Sequence, residues 1–131
     1  MFYQLINRIV ITIIPYLPLS FIRMFAGRYV AGETVSQALQ IVRELNTRGY
    51  SATLDILGEH STNKVDALDI TQEYVDIYGK ILSNKLNCNI SIKPTHIGLD
   101  IDEDFAANNL NTLVNTAKIT NNFLRIDMEN S

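Results

Sequence analysis

Residues Asn89 to Thr95 read NISIKPT. Ile90 and Ile92 alternate with Ser91, Lys93 and Thr95. Successive side chains of a strand point to opposite faces. This segment therefore has one apolar face and one polar face, with a lysine near its C-terminal end. Two other segments repeat the pattern. Tyr50 to Leu57 (YSATLDIL) sets Ala52, Leu54 and Ile56 against Ser51, Thr53 and Asp55. Phe123 to Met128 (FLRIDM) sets Leu124 and Ile126 against Arg125 and Asp127. Lys93 follows Asp55 by 38 positions and precedes Asp127 by 34. Each strand is thus expected to carry an ionisable group at about the same height.

Helical patterns separate these strands. Thr34 and Gln37 fit a capping box, Val35, Ala38, Leu39, Val42 and Leu45 follow at helical spacing, and Gly49 closes the run. A helix from about Thr34 to Arg48 is expected. Ser61 or Thr62 is expected to cap a second helix, carried by Val65, Leu68, Val75, Tyr78 and Leu82. Asp102 is expected to cap a third, with Ala106, Leu110, Leu113, Val114 and Ala117 on one face. Strands alternating with helices imply right-handed βαβ units and a parallel sheet. Helices would cover the apolar strand faces, and the polar faces would converge on one interior. That is the layout of a (β/α) barrel, whose catalytic groups sit at the C-terminal strand ends. A doubly wound sheet usually has strands that are apolar on both faces.

A closed barrel takes eight strands and about 250 residues. The chain has 131 residues and predicts three strands. The expected fold class is therefore α/β: the first three βα units of a (β/α)8 TIM-like barrel, incomplete, preceded by N-terminal helices. Residues 1–32 form the lead-in and 33–131 the barrel part. The simplest expectation is the N-terminal part of a longer enzyme.

The lead-in contains a mostly apolar run, Ile9 to Ile22 (IVITIIPYLPLSFI), between Arg8 and Arg23. It is shorter than the roughly 20 residues of a membrane-spanning helix, and Pro15 and Pro18 interrupt it. Arg23-Met24-Phe25 is no small-residue cleavage site. Two helices packed on a larger body, and an interfacial anchor, both remain open.

Hydrophobic residues make up 47% and charged residues 19%, a globular rather than disordered composition. Net charge is −3, and the 11 Lys and Arg form no run, so a nucleic-acid partner is not expected. A single cysteine, Cys88, excludes an intramolecular disulfide and a Cys-rich zinc site, and fits a reducing compartment. No metal site is expected.

Three stretches in order carry a family resemblance: LDILGE (Leu54 to Glu59), SIKPTHIGLD (Ser91 to Asp100) and RIDMENS (Arg125 to Ser131), preceded by FAGRYVAGET (Phe25 to Thr34). They resemble the first three strand-end motifs of the proline dehydrogenase family and the lead-in to its barrel. The resemblance implies a flavoenzyme on a distorted (β/α)8 barrel. It would bind FAD without a Rossmann domain, oxidise L-proline to Δ1-pyrroline-5-carboxylate and pass electrons to a membrane quinone. A cytoplasmic setting, with peripheral contact at the inner face of a membrane, goes with this.

By the same resemblance, Lys93 matches a substrate-site lysine, able to pair with the proline carboxylate. Asp127 matches the acidic residue beside that lysine, holding it in a charge network. Glu59 matches a glutamate that pairs with an arginine from a later loop to gate the site. Asp55 is expected to support the substrate-contacting residues. The family's paired substrate-gripping arginines, the partner of Glu59 and most FAD contacts belong to later elements. No cofactor-binding residue is assigned here, and the 131 residues alone are expected to be inactive.

Bland alternatives stand beside these roles. Lys93 and Asp127 could form a structural ion pair, and Glu59 could be a helix-start carboxylate. His96 and His60 are expected to be surface or satisfied residues. Cys88 lacks a nearby base. Asp102, Glu103 and Asp104 fit a helix N-terminus. Two other functions remain: a Schiff-base aldolase acting through Lys93, or a non-catalytic, partner-binding remnant.

Overall fold

The computed structural model describes residues 34–58 and 61–127. The chain divides into two units, Met1–Gln37 and Ala38–Ser131, and the second holds the sheet. The lead-in 1–32, Glu59, His60 and Met128 lie outside the described residues. In chain order the elements are α1 (Val35–Thr47), β1 (Ala52–Leu54), α2 (Lys64–Ser83), β2 (Cys88–Ile92), a 3₁₀ turn (Pro94–Ile97), α3 (Glu103–Ile119) and β3 (Leu124–Ile126).

The expected alternation of helices and strands is present. The Gln37 N–H donates to Thr34 Oγ1 at 3.3 Å, the hydroxyl half of the capping box. Gly49, at φ +85°, ends α1. Its N–H reaches Asn46 O and that of Tyr50 reaches Leu45 O, both at 3.0 Å, which satisfies the last carbonyls in a Schellman motif. Asp102 caps α3 as expected: its carboxylate accepts from the Phe105 N–H at 3.0 Å.

The α2 cap is Asn63, not Ser61 or Thr62. The Asn63 carboxamide oxygen accepts from Val65 N–H at 2.9 Å and Asp66 N–H at 3.0 Å. Ser61 instead turns inward and donates to His96 O. The buried face of α2 also differs from the expected one. Val65, Leu68 and Leu82 are exposed by 65%, 50% and 55%. Ala67, Thr71, Tyr74, Ile77, Tyr78 and Ile81 face inward. Both stripes are helically spaced and share Tyr78, which is buried as expected; Tyr74 decides between them. Buried, each phenol needs a polar partner. Tyr74 donates to Asp55 Oδ1 and Tyr78 to Phe123 O, both at 3.1 Å.

All three strands are shorter than the alternation suggested. β1 stops at Leu54, and the Ile56 N–H points to Tyr74 Oη at 3.4 Å rather than to a neighbouring strand. β2 stops at Ile92, because Pro94 has no N–H to extend the ladder and opens the 3₁₀ turn. β3 covers only Leu124–Ile126.

The sheet is parallel, in the order β1-β2-β3. Ala52 pairs with Cys88 and Leu54 with Ile90, then Ile90 with Leu124 and Ile92 with Ile126. Right-handed crossovers between sequential neighbours advance the sheet in one direction and put both crossover helices on one face. That is the progression of consecutive βα units of a (β/α)8 barrel, whereas a doubly wound sheet reverses its order. Ile90 and Ile92 are fully buried on the helical side, beneath a core that includes Tyr74, Tyr78, Ile81 and Leu113. Each such isoleucine contributes about 1.5–3 kcal/mol. Asn46 joins α1 to this sheet. Its amide donates to Tyr50 O and Asn87 O, and its oxygen accepts from the Asn87 N–H at 2.8 Å.

Gly98 terminates the 3₁₀ turn at φ +101°. A Cβ there would lie 2.9 Å from Phe105 Cδ1 and 3.4 Å from Ala67 Cβ. Gly98→Ala is expected to lower stability by about 2–4 kcal/mol, from backbone strain and overpacking. Gly79 lies inside α2 with open space where a Cβ would stand. Gly79→Ala is therefore expected to raise stability by about 0.5–1 kcal/mol. Urea midpoints of the two variants, moving in opposite directions, check both.

Candidate functional site

The candidate site is the polar face of the sheet at its C-terminal end. The register orders it in rows. Thr53 lies beside Asn89. Ser91 lies beside Arg125, and continuing the β1–β2 register one residue past Leu54 brings Asp55 to the other side of Ser91. Continuing the β2–β3 register one residue past Ile92 sets Lys93 beside Asp127. The Asp127 N–H carries the ladder there, donating to Ile92 O at 2.9 Å.

Lys93 and Asp127 thus share the top row, as the sequence suggested. Asp55 does not share their height. It sits two residues lower, about 6.6 Å along the strand, level with Ser91 and Arg125. The spacing between motifs counts residues in loops and helices as well as strands, so it fixes height only loosely.

The charges are paired in a way the sequence did not predict. Asp127 Oδ1 lies 3.3 Å from Arg125 Nε, two residues away on the same face. Lys93 is half-buried and forms no ion pair among the described residues. The structural ion pair between Lys93 and Asp127 is therefore absent. An exposed pair such as Arg125–Asp127 is worth about 0–1 kcal/mol, so it does not commit Asp127 strongly. Asp55 is held by the buried Tyr74 phenol. Burial, and then the negative charge of Asp55, push the Tyr74 phenol well above its usual range, so it remains a donor. Asp55 is thus tied to the helical layer.

The rows below Lys93 hold features that residue patterning did not flag. Ser91 is buried, and among the described residues neither its hydroxyl nor the buried Asn89 Oδ1 has a hydrogen-bond partner. Nothing in the sequence distinguished these two from other small polar strand residues. His96, expected in a loop as a surface or satisfied residue, is instead 2% exposed within the 3₁₀ turn, and its Nε2 lies 3.0 Å from Gly58 O. Glu59, the expected gate, is not among the described residues. No group of three or more His, Cys, Asp or Glu side chains that could hold a metal occurs among the described residues. No helix among them is long and apolar enough to cross a membrane.

Similarity to known proteins bears on this geometry. Proline dehydrogenase 1 of Bacillus subtilis is 36% identical over 107 residues, covering 82% of this chain and 35% of that protein. Proline dehydrogenase 2 of the same organism is 34% identical over the same shares. In sequence, the chain is similar to the proline dehydrogenase family over most of its length. It spans about a third of the length of these curated relatives. The proline dehydrogenase of Deinococcus radiodurans is 28% identical over 107 residues. Among solved structures, proline utilization A from Bdellovibrio bacteriovorus, inactivated by N-propargylglycine, superposes with a TM-score of 0.69 at 18% identity, over 77% of this chain and 13% of that one. That likeness supports the fold, a partial TIM-like barrel. No protein-family model matches the chain.

Cys88 is the first residue of β2 and is buried. Burial pushes its thiol up to about 11. Against an ordinary cysteine near 8.5 this lowers the thiolate fraction at pH 8 by about 100-fold. Iodoacetamide is expected to label Cys88 at pH 8 about 100-fold or more slowly in the native protein than in urea. Comparable rates in the two would show that β2 opens readily.

Proposed function

We propose that this chain supplies the first strand-end positions of an enzyme that oxidises L-proline to Δ1-pyrroline-5-carboxylate. The observation that carries the reading is Lys93, a half-buried cation at the end of the central strand, beside Asp127 and without an ion pair among the described residues. A free amino acid presents a carboxylate, and an ammonium on a flexible stem is suited to meet it with charge-assisted hydrogen bonds. Asp127 is the neighbouring residue one strand over, paired with Arg125 rather than with the ammonium. Tyr74 and Asp55 brace the row below.

The reaction needs an electron acceptor, which the family resemblance makes a flavin, and FAD in particular. The inner face fits such a group in its chemistry: Asn89 Oδ1 and Ser91 Oγ are buried and without partners among the described residues, and Lys93 stands above them. A bound flavin would supply the hydride acceptor for proline oxidation; the protein contributes orientation and electrostatics. Lys93 would hold the substrate carboxylate and so fix which carbon faces the cofactor. The quinone acceptor and the cytoplasmic, membrane-peripheral setting rest on the resemblance alone, as does the gating role of Glu59.

The test is proline-dependent dye reduction by the protein expressed from its full reading frame, supplied with FAD. Lys93→Ala is expected to raise the KM for proline by about 10- to 100-fold, the worth of one charge-assisted hydrogen bond. A folded, flavin-loaded protein that fails to reduce the dye with proline would refute the reading.

A further inference from the structure

The chain makes a sharp change of direction right after Lys93, and His96 is the residue that secures it. The His96 N–H donates to Lys93 O at 3.1 Å, closing the turn back onto the lysine. The ring lies 3.0 Å from Gly58 O through Nε2. A carbonyl only accepts, so Nε2 is the donor in this contact. Nδ1 is buried and has no partner among the described residues. The ring also packs against Gly58, where a Cβ would stand 3.8 Å from its Cε1. From the other side, Ser61 Oγ donates to the His96 carbonyl. One residue therefore bonds the chain on both sides of the segment joining β1 to α2. The next carbonyl, Ile97 O, is held by the buried Asn109 amide at 3.0 Å, which anchors the turn to α3.

We propose that His96 is a positioning residue of the site: by tying Gly58 and Ser61 to the turn that begins at Lys93, it fixes the backbone from which the lysine ammonium reaches the substrate. The proposal rests on the reading of Lys93 as the substrate-binding lysine. Lys93 has no ion pair among the described residues to restrain its head group, so its backbone anchor decides where the ammonium can go. Misplacement by about 1 Å at such a position can cost on the order of 100-fold in rate. Without the ring, Gly58 O loses its part-buried bond to His96, and the segment around it loses that tie to the turn.

The test compares three variants of the full-length protein: His96→Gln, His96→Leu and His96→Asn. A glutamine amide nitrogen can stand where Nε2 stands and still donate to Gly58 O. Leucine cannot donate, and the asparagine amide is one bond too short. The first measurement is hydrogen exchange at the amides of Ser61 to Asn63 and His96 to Gly98. The second is acylation of Lys93 by trace acetic anhydride, read by mass spectrometry against the exposed Lys118. Neither uses proline, so a protein that does not oxidise proline refutes the proposed function and leaves this test intact.

His96→Leu is expected to speed exchange by about tenfold or more and to change the relative reactivity of Lys93, while His96→Gln stays near wild type. If His96→Leu does not fold, His96→Asn takes its place and is expected to behave the same way. In the proline-oxidising enzyme, the loosened variant is expected to raise KM for proline more than it lowers kcat. Unchanged exchange in the leucine and asparagine variants would overturn the proposal. So would glutamine behaving like leucine. Faster exchange with unaltered Lys93 labelling would show a structural role only, and would overturn it too.

Discussion

Everything at the candidate site depends on how the central strand ends. β2 is buried on its helical side through Ile90 and Ile92, and Ser91 on its other face is buried as well. A strand so enclosed cannot simply run out into solvent. Pro94 stops the ladder and starts a buried 3₁₀ turn, whose backbone polar groups must then find partners inside the protein. They find them in Ser61 and Asn109. Gly98 closes the turn with a backbone conformation that only glycine adopts cheaply, against Phe105 and Ala67. Lys93 is the last residue before this knot, so its backbone is held by β1, α2 and α3 together.

The same geometry explains why an ionisable side chain is tolerable there. Lys93 and Asp127 are placed side by side by main-chain register, which costs neither side chain its freedom. Register also explains why Asp127 pairs with Arg125: two positions apart on one face, they meet whatever Lys93 does. Lys93 is left to meet a carboxylate brought by something else. On the helical side the logic is reversed. Tyr74 and Tyr78 are pinned by single hydrogen bonds to Asp55 and Phe123 O, and burial holds the Tyr78 phenol up at about 12, so both remain donors at neutral pH.

The residues alone carry the strand–helix alternation, the parallel sheet and the α1 and α3 caps, and the family resemblance put Asp127 beside Lys93. Each of these has a local or periodic signal: alternation of Ile with Ser and Lys in NISIKPT, Gly49 after α1, Asp102 before α3. What escaped had no such signal. The buried face of α2 depended on which of two helical stripes found partners for its polar atoms; Tyr78 lies on both, and Tyr74 outweighed Val65, Leu68 and Leu82. The inward turn of Ser61 left Asn63 as the cap. His96 gave no hint of its burial, because its partners are 35 and 38 residues away in sequence.

The sequence by itself therefore determined which segments are strands and which are helices, which face of each strand is polar, and the family that the motifs resemble. These follow from periodicity and from short runs of residue types, and neither requires knowing what lies across the sheet. Tertiary structure alone decided the height of Asp55 relative to Lys93, the partner of Asp127, and the burial of His96 behind the lysine. Those depend on register and on contacts between distant segments, and one residue of slip in a strand would move every side chain to the opposite face.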